Sequence, residues 1–483
     1  MAEHSTRPIR LRLLTSEHRA LLFFGDLIAG ILAGVGAYYS WLGYAWYRLI
    51  SSGIPPLRAM RFFPSVEIPF WFYALPLLWT VFLVELYEPQ IAANRRRTLR
   101  GIAMAAILGL VIYALIFITN RDPQSLPRVL VGLFLLYASL FTLLWRSIYI
   151  RIYTTAGRQR RVLIVGAGKA GRTLAQLYRS IHPPPFQLVG FIDDDNSKHD
   201  TSVDGFPVFG GSDCLLKSIE EQGITEVVIA ITGTMSGKTF QRILDAQQNG
   251  IEITRMPILY EELSGRVPIH HLESDWLLRS FIEQARVSGF YELAKRVLDI
   301  LGGLAGMVVL GVLFPFISLA IVIDSGLPIF YSQSRLGRRG TVFIIRKFRT
   351  MYQNAEPDGK PRPAAENDPR ITRVGSFLRR TRLDELPQFW NVLRGEMSLV
   401  GPRAERPELV EEYQRHIPFY RARLLVKPGL TGWAQINYGY VASVTETSVK
   451  LEYDLYYIKH RSLAMDIQII LRTIGTVMRA MGR

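Results

Sequence analysis

Two adjacent carboxylates, Asp384 and Glu385, lie in a stretch of the chain that is rich in arginine. The basic residues of this stretch are Arg379, Arg380, Arg382, Arg394 and Arg403. Cations could hold a phosphate there while the carboxylates bind a metal or attack phosphorus. Pro387 is tolerated in a first helical turn, so Asp384 could also cap a helix. The stretch alone leaves two interpretations open, phosphate chemistry and a helix cap beside a solvated charged face.

The composition of the chain is both apolar and basic. Of its 483 residues, 49% are hydrophobic, and the formal net charge is +16. This length predicts about three domains, and the hydrophobic fraction predicts membrane segments. With membrane segments present, the positive charge favours an anionic membrane surface or phosphorylated substrates, and we expect no nucleic acid partner. Cys214 is the only cysteine, which excludes internal disulfides and cysteine-rich zinc sites.

Four apolar segments within residues 1–155 predict a four-helix transmembrane bundle. They occupy residues 20–46, 68–87, 102–119 and 129–150. Each approaches the ~20 residues that a membrane-spanning helix needs. Arginine clusters precede the first segment, separate the second from the third and follow the fourth, so the positive-inside rule places both ends of the bundle in the cytoplasm. Asp26 and Glu85 lie in or beside these segments, where we expect pairing between helices.

Residues 156–280, the α/β region, alternate strand-like and helix-like runs, which predicts a Rossmann-like parallel sheet. Gly166, Gly168 and Gly171 follow the first strand-like run, and Asp193 comes about 20 residues later. This is the spacing of a dinucleotide-binding turn with a ribose-binding carboxylate. The same turn also occurs in domains that bind nothing. Binding of NAD or another nucleotide therefore stays open, as does a regulatory or dimerisation role.

An apolar stretch at about residues 296–324 opens the C-terminal region, residues 290–483. It is long enough to cross a bilayer. Lys295 and Arg296 precede it and a second basic cluster follows it, so neither end looks exported. Pro315 cannot donate a helical hydrogen bond and interrupts the stretch. We therefore predict a re-entrant membrane helix that bends at Pro315, with a core helix of a soluble domain as the alternative.

Two further functional classes stay open on the residues alone. Tyr291 and Lys295 have the Tyr-x-x-x-Lys spacing of short-chain dehydrogenases and epimerases. Together with the glycine turn, this spacing would fit an NAD-dependent nucleotide-sugar epimerase or dehydratase. Lys295 directly borders the apolar stretch, however, where a basic membrane-anchor residue is the simpler account. A non-enzymatic membrane scaffold is the other alternative.

Five motifs follow one another in the C-terminal region. They are Lys295-Arg296-x-x-Asp299, Lys347-Phe348-Arg349-Thr350-Met351, Leu383-Asp384-Glu385-Leu386-Pro387-Gln388, Gly401-Pro402-Arg403 and Lys427-Pro428-Gly429-Leu430-Thr431-Gly432. In this order they resemble the bacterial sugar transferase family, the monotopic polyprenyl-phosphate sugar-1-phosphate transferases. The whole chain resembles the large form of that family, which initiates O-antigen, capsule or exopolysaccharide synthesis.

The resemblance implies a reaction and roles for the residues. Asp384 matches a nucleophile that attacks the β-phosphate of a UDP-sugar, giving a phosphosugar-aspartyl intermediate and UMP. Glu385 matches its acidic partner, which would help to hold Mg²⁺ or manage the proton. The family's basic positions around the phosphates match Lys347, Arg349, Arg379 and Arg403. Undecaprenyl phosphate would then take the hexose-1-phosphate, with glucose or galactose as the implied sugar.

The resemblance also implies where the protein works. It would be a multi-pass protein of the bacterial inner membrane, in contact with membrane lipids. Its catalytic domain, a mainly helical α/β domain with the re-entrant helix, would lie on the cytoplasmic face. The sequence leaves open whether the protein forms a homodimer.

Overall fold

The computed structural model describes residues 15–52, 70–87, 89–92, 94–119, 128–153, 160–272, 289–353, 368–439 and 443–478. The chain forms two compact units. The first contains the N-terminal helices together with residues 179–189 and 223–225, and the second contains most of the α/β region and the whole C-terminal region. The predicted domain limits near residues 155 and 280 stay predictions, because residues 154–159 and 273–288 lie outside the described ranges.

Long apolar helices dominate the N-terminal unit. Its helices are α1 (Thr15–Ser51), α2 (Leu75–Phe82), α3 (Pro89–Ala92), α4 (Arg95–Thr119) and α5 (Arg128–Tyr153), with 3-10 turns at Phe70–Ala74 and Val84–Tyr87. Three of these helices, α1, α4 and α5, are long and apolar enough to cross a membrane, and so is one helix of the C-terminal region. The chain is therefore a membrane protein with four candidate spanning helices among its described residues.

The segment predicted as the second membrane helix, residues 68–87, is not one long helix. Its described part consists of a 3-10 turn, the eight-residue helix α2 and a second 3-10 turn. Pro76 lies in the first turn of α2. Because proline has no N–H to donate, it begins a new helix there and does not continue the preceding turn. The described part of the bundle thus has three long apolar helices and one short apolar segment.

A buried ion pair joins α1 to α5. Asp26 accepts a hydrogen bond from Arg146 Nη2 at 2.6 Å, and their side chains are 0% and 1% exposed. Arg146 Nη1 also donates to the carbonyl of Leu86 at 2.8 Å. Either charge would be costly to bury alone, so the pair holds the two helices in one arrangement. The pairing predicted for Asp26 is confirmed, whereas the side chain of Glu85 lies outside the described part of the structure.

The α/β region is built around one sheet. Its elements are β1 (Arg161–Val165), α6 (Lys169–Ser180), β2 (Gln187–Ile192), β3 (Ser202–Val203), β4 (Phe206–Pro207), α7 (Leu215–Gln222), β5 (Glu226–Ile229), α8 (Gly237–Gln248) and β6 (Glu252–Arg255). Four strands form the sheet in the order β2-β1-β5-β6, and β5 pairs with β6 in parallel. The alternation of strands and helices predicted for this region is confirmed.

Short strands and many helices form the rest of the second unit. They are α9 (Met256–Ser264), α10 (Gly289–Ser325), β7 (Phe330–Leu336), β8 (Val342–Phe348), α11 (Arg373–Thr381), α12 (Phe389–Arg394), β9 (Ser398–Val400), α13 (Pro407–His416), β10 (Gly429–Thr431), α14 (Trp433–Asn437), α15 (Val444–His460) and α16 (Leu463–Met478). Strands β7 and β8 pair antiparallel, and β9 and β10 pair in parallel. Residues from β8, β9 and α12 to α16 share one apolar core.

The chain that follows α9 takes part in this core. Val267 and Ile269 are buried among its residues. The N–H of Val267 donates to the carbonyl of Glu452 at 3.1 Å, and Trp433 Nε1 donates to the carbonyl of Gly265 at 2.9 Å. Apolar burial and backbone hydrogen bonds therefore fix this end of the α/β region to the C-terminal region.

Helix α10 is the fourth candidate membrane helix. Its first turns form hydrogen bonds with other elements of the C-terminal region, namely α12 and β9. Arg296 donates to the carbonyls of Val392 and Leu393, at 2.9 and 2.7 Å. Asp299 accepts from the N–H of Leu399 at 2.8 Å. The Lys-Arg-x-x-Asp motif thus satisfies orphan carbonyls at the end of α12 and a backbone N–H of β9.

The far end of α10 is bonded to the same region. Asp324 accepts a hydrogen bond from the N–H of Val374, in the first turn of α11, at 3.0 Å. Between the two ends the helix is continuous across Pro315. Its outward side is apolar and exposed, with Phe316 at 70% and Ile323 at 77%. One face of α10 therefore packs on the C-terminal region, and the other presents the kind of surface that lipid would cover.

Glycines let α10 approach α12 closely. A Cβ atom added at Gly306 would overlap the ring of Phe389, and one added at Gly303 would lie 2.7 Å from Leu393 Cδ2. Gly311, further along the same helix, has no atom within 4 Å of such a Cβ. The helix is therefore tightly packed at its glycine-rich first half and open at Gly311.

We expect Gly306→Ala to destabilise the protein, because the added methyl must push back the ring of Phe389, and overpacking of this kind costs about 1–3 kcal/mol. Gly311→Ala is the matched control on the same helix and should be neutral or slightly stabilising, since alanine is the better helix former. Thermal unfolding of the two detergent-solubilised variants compares them. Equal melting temperatures would contradict the packing described here.

Candidate active site

The two carboxylates lie in a 3-10 helix, Leu383–Gln388, that connects α11 to α12. Arg382 precedes it with a left-handed backbone, φ 56, which ends α11 and turns the chain. Asp384 therefore lies within the 3-10 helix, and the helix-cap interpretation from the sequence is wrong. Leu386 packs in one apolar cluster with Ile317 and Ile321 of α10. The segment is thus attached to the apolar helix by its own side chain.

Glu385 binds two of the predicted cations with one oxygen. Its Oε1 accepts hydrogen bonds from Lys347 Nζ at 2.7 Å and from Arg403 Nη2 at 2.9 Å. Lys347 comes from the end of β8, and Arg403 follows β9. Three sequence motifs that are far apart in the chain therefore meet at one carboxylate. Charge-assisted hydrogen bonds of this length are among the strong ones in proteins.

The two glycine-containing motifs place Arg403. The N–H of Gly429 donates to the carbonyl of Pro402 at 2.9 Å, and the N–H of Gly401 donates to the carbonyl of Thr431 at 2.9 Å. A Cβ atom at Gly401 or at Gly429 would overlap backbone atoms of the facing segment. Only glycine permits this approach. The two motifs thus form one backbone crossing, and this crossing places Arg403 beside Glu385.

The neighbouring carboxylates have opposite electrostatic environments. Burial and the adjacent charge of Glu385 raise the pKa of Asp384 to about 6. Burial also disfavours the charged form of Glu385, but Lys347, Arg403 and Arg382 outweigh it and hold the pKa of Glu385 well below its usual range. At neutral pH both groups are ionised. Asp384 is the more basic of the two, which suits a nucleophile.

The other two predicted phosphate-binding residues, Arg379 and Arg349, lie in different parts of the structure. Arg379 Nε donates to Thr350 Oγ1 at 2.8 Å, and its charge acts on Asp384. Arg349 is buried, and its Nη2 donates to the carbonyl of Ser325 at 2.8 Å, at the end of α10. Its Nε and Nη1 have no hydrogen-bond partner within the described part of the chain. The structure therefore brings Lys347, Arg379 and Arg403 to the carboxylates, while Arg349 holds the end of α10.

Sequence reasoning missed Arg423, which does not contact the two carboxylates but binds the backbone of Arg403. Its Nη2 donates to the carbonyl of Arg403 at 3.0 Å and to Asp454 at 2.9 Å. Its Nη1 lies 3.5 Å from Glu405, a partly buried carboxylate that also binds Lys450 at 2.7 Å. In the sequence, Arg423 lies between two apolar residues and belongs to no motif that would predict a function. Only the fold shows that it fixes the backbone of Arg403.

The Tyr-x-x-x-Lys spacing has a structural explanation. Tyr291 Oη donates to Asp466 at 3.0 Å, and Lys295 Nζ donates to the same carboxylate at 2.9 Å. Asp466 is fully buried and also accepts from Tyr457 at 2.8 Å. One helical turn separates Tyr291 from Lys295, so both can reach Asp466. Lys295 is therefore part of an internal ion pair, and the account of it as a membrane-anchor residue is wrong.

The glycine turn of the α/β region binds its own carboxylate. Gly166 has φ 109, which glycine adopts readily. Next to it, the N–H of Ala167 donates to Asp193 Oδ2 at 2.7 Å, and Lys198 Nζ donates to the same oxygen at 3.0 Å. Gly171 lies so close to Gly166 that a Cβ atom would overlap its carbonyl oxygen. One backbone N–H of this turn is therefore already bonded to Asp193.

The described residues around the two carboxylates do not form a complete metal site by themselves. Among the described residues, no group of three or more His, Cys, Asp and Glu side chains could hold a metal ion. Mg²⁺ is commonly bound by one or two carboxylates together with substrate phosphates. Asp384 and Glu385 fit that second kind of site, in which a diphosphate supplies further oxygens.

The pKa of Asp384 predicts a stabilising substitution. The carboxyl group has a pKa of 3.8 when unperturbed and about 6 in the fold, so its ionised form is disfavoured in the folded protein. The destabilisation is absent below the unfolded pKa, grows as the pH rises and is complete above about pH 6. We expect Asp384→Asn to raise the free energy of unfolding by about 1–3 kcal/mol at pH 7.5, and the gain to vanish near pH 4.

Glu385→Gln is the matched control, because the pKa of Glu385 is lowered and its ionised form is favoured by the fold. This neighbouring variant should therefore be less stable than the wild type at pH 7.5. Thermal unfolding of both variants at several pH values measures the effects. A loss of stability in both would contradict the opposite environments of the two carboxylates.

Comparisons with known proteins cover the residues of this site. A family described as "Bacterial sugar transferase" matches residues 290–480, and one described as "CoA-binding domain" matches residues 83–257. The UDP-N-acetylgalactosamine-undecaprenyl-phosphate N-acetylgalactosaminephosphotransferase of Aeromonas hydrophila is 40% identical over 232 residues, which are 48% of this chain and 53% of that protein. The chain thus matches about half the length of this relative.

Two other relatives are covered more fully. The UDP-galactose-lipid carrier transferase of Erwinia amylovora is 31% identical over 347 residues, 67% of this chain and 69% of the relative. The UDP-glucose:undecaprenyl-phosphate glucose-1-phosphate transferase of Escherichia coli (strain K12) is 33% identical over 329 residues, 65% of this chain and 67% of the relative. Since the family match also contains Asp384, Glu385 and their cations, the chain belongs to the bacterial sugar transferase family.

Proposed function

We propose that this protein transfers a hexose-1-phosphate from a UDP-sugar to undecaprenyl phosphate and releases UMP. The observation that carries the proposal is a buried, ionisable carboxylate, Asp384, beside a carboxylate that is bonded to Lys347 and Arg403. This arrangement combines a nucleophile with cations at the place where phosphate charge would develop. The three related transferases are named for UDP-sugars or for lipid and undecaprenyl-phosphate carriers, which supports the choice of substrates.

In the first step, a carboxylate oxygen of Asp384 attacks the β-phosphorus of the UDP-sugar. A bond forms between that oxygen and phosphorus, and the bond from phosphorus to the bridging oxygen breaks, so UMP leaves with the bonding electrons. The product is a phosphosugar-aspartyl intermediate. With a pKa of about 6, Asp384 is ionised at neutral pH and needs no general base.

Lys347 and Arg403 counter the charge that collects on the diphosphate. Glu385 fixes the positions of both cations by hydrogen bonds, so the donors are held before substrate arrives. Arg379 acts from the Asp384 side. Asp384 and Glu385, together with the diphosphate, would hold Mg²⁺, which would supply further neutralisation of phosphate charge.

In the second step, a phosphate oxygen of undecaprenyl phosphate attacks the phosphorus of the intermediate. The aspartyl–phosphorus bond breaks, and Asp384 regains its carboxylate. The lipid-linked sugar diphosphate would then initiate O-antigen, capsule or exopolysaccharide synthesis. The two steps use one nucleophile and one set of cations, which divides a difficult displacement into two easier ones.

We further propose that α10 is a re-entrant helix at the cytoplasmic face of the bacterial inner membrane. Both of its ends are bonded to the C-terminal region, and its outer face is apolar and exposed. A helix that crossed the bilayer would carry one end away from that region. The α/β region would act as a regulatory or dimerisation module.

We expect Asp384→Asn to abolish both transfer to undecaprenyl phosphate and the UMP-dependent exchange of the UDP-sugar, since the covalent step needs the carboxylate. In the wild type, the exchange rate should fall about tenfold per pH unit below pH 6, as Asp384 becomes protonated. The assay uses a panel of UDP-glucose, UDP-galactose and UDP-N-acetylgalactosamine with protein in nanodiscs. Substantial exchange by the variant would refute Asp384 as the nucleophile.

Arg403→Ala should lower kcat/KM for the UDP-sugar about 10- to 100-fold, because one charge-assisted contact to phosphate is lost. Arg394→Ala is a suitable control, since Arg394 lies in the same stretch with its side chain 60% exposed and paired to Glu396 at 3.8 Å. Its kinetics should stay within about twofold of the wild type. Similar losses in the two variants would argue against a specific role for Arg403.

A further inference from the structure

A small cavity lies beside the pair of cations that bind Glu385. Its polar lining residues are Arg335, Lys347, Gln388 and Arg403, and its described lining includes no acidic residue. The volume is ≈ 20 Å³, slightly more than the ~10–15 Å³ that one water needs. The cavity can therefore take one oxygen-bearing group of a larger molecule, and not a whole nucleotide.

Gln388 has an unpaired amide at this cavity. The residue is 5% exposed, and its Nε2 has no hydrogen-bond partner within the described residues. In a 3-10 helix, residues three apart lie on one face, so Gln388 is on the same face as Glu385. Buried amides are almost always hydrogen-bonded. A donor left unpaired next to the reactive carboxylates therefore indicates a partner that comes from outside the chain.

Arg335 contributes a second donor of the same kind. Its Nη1 donates to the carbonyl of Ala404 at 3.2 Å, but its buried Nε has no partner in the described part of the chain. Burial lowers the pKa of Arg335 to about 10, although Glu405 opposes this shift. Three cationic side chains, Arg335, Lys347 and Arg403, and no acidic one are among the described lining residues, which favours an anion as the missing partner.

We propose that Gln388 Nε2 and Arg335 Nε bind an oxygen of a substrate phosphate, namely of the phosphate that Asp384 does not attack. This inference rests on the proposed function. Asp384 is absent from the described cavity lining, whereas Lys347 and Arg403 belong to it. They connect the cavity to the reacting carboxylates. Two substrates bring such a phosphate. One is the UDP-sugar, whose second phosphate leaves in UMP, and the other is undecaprenyl phosphate.

Gln388→Met tests the proposal, because methionine keeps the length of the side chain and removes its N–H groups. Gln176→Met is the control, since Gln176 is an exposed glutamine of α6. Two reactions are measured in nanodiscs for each variant, the UMP-dependent exchange of the UDP-sugar without lipid and the complete transfer to undecaprenyl phosphate. Thermal unfolding records the folded fraction.

Loss of the contact should weaken phosphate binding about 10- to 100-fold. If the oxygen belongs to UMP, Gln388→Met raises the KM for the UDP-sugar and the inhibition constant of UMP, and the KM for undecaprenyl phosphate is unchanged. If the oxygen belongs to the acceptor, exchange is unchanged and the KM for undecaprenyl phosphate rises. In either case Gln388→Glu should be worse than Gln388→Met, because a carboxylate repels phosphate.

A structural water bound to Gln388 would give a different result. Both KM values and the UMP inhibition constant of Gln388→Met would then stay within about twofold of those of Gln176→Met, with a change in melting temperature only. That result, or better binding by Gln388→Glu than by Gln388→Met, would overturn the proposal. The proposed function fails separately, if the wild type releases no UMP from any UDP-sugar in the panel.

Discussion

One oxygen atom, Oε1 of Glu385, accepts hydrogen bonds from Lys347 and Arg403, and much of the C-terminal region serves to bring these groups together. Strand β8 supplies the lysine, and a backbone crossing between glycine-containing segments supplies the arginine. With Glu385 bound to two cations, the adjacent Asp384 is the carboxylate that stays basic. The pKa values of these two neighbouring acids differ because of the positions of the surrounding cations, and not because of the chemistry of the two side chains.

The same region contains several groups that the fold alone does not satisfy. Asp384 is buried with a raised pKa, the amide nitrogen of Gln388 has no partner among the described residues, and neither have two nitrogens of Arg349. Each lowers the stability of the ligand-free protein. Acceptor oxygens of a bound phosphate would compensate the unpaired amide nitrogen of Gln388, so that substrate binding and stability would be coupled there. This is the pattern expected when stability is given up for preorganised chemistry.

The sequence predicted the site better than it predicted the surroundings. The motifs around Lys347, Asp384, Glu385 and Arg403 predicted that these side chains belong to one site because, in this order, they resemble those of one family, and the structure brings them together. Lys295 was misinterpreted because its partner, Asp466, is 171 residues away, and a lysine before an apolar helix looks the same whether it faces lipid headgroups or a buried carboxylate. The short pieces of the second membrane segment were missed because hydropathy averages over Pro76. Distant pairing and backbone breaks are properties of the fold, and periodicity does not report them.

The attachment of the 3-10 helix to α10 has a consequence for the acceptor. Leu386, two residues from Asp384, shares an apolar cluster with Ile317 and Ile321 of α10. This cluster therefore fixes the position of the Asp384 segment relative to the helix. If α10 is embedded as proposed, the depth of its apolar face sets the height of Asp384 above the hydrocarbon. If that height matches the phosphate of a lipid carrier, the protein would select its acceptor by position along the membrane normal as well as by chemistry.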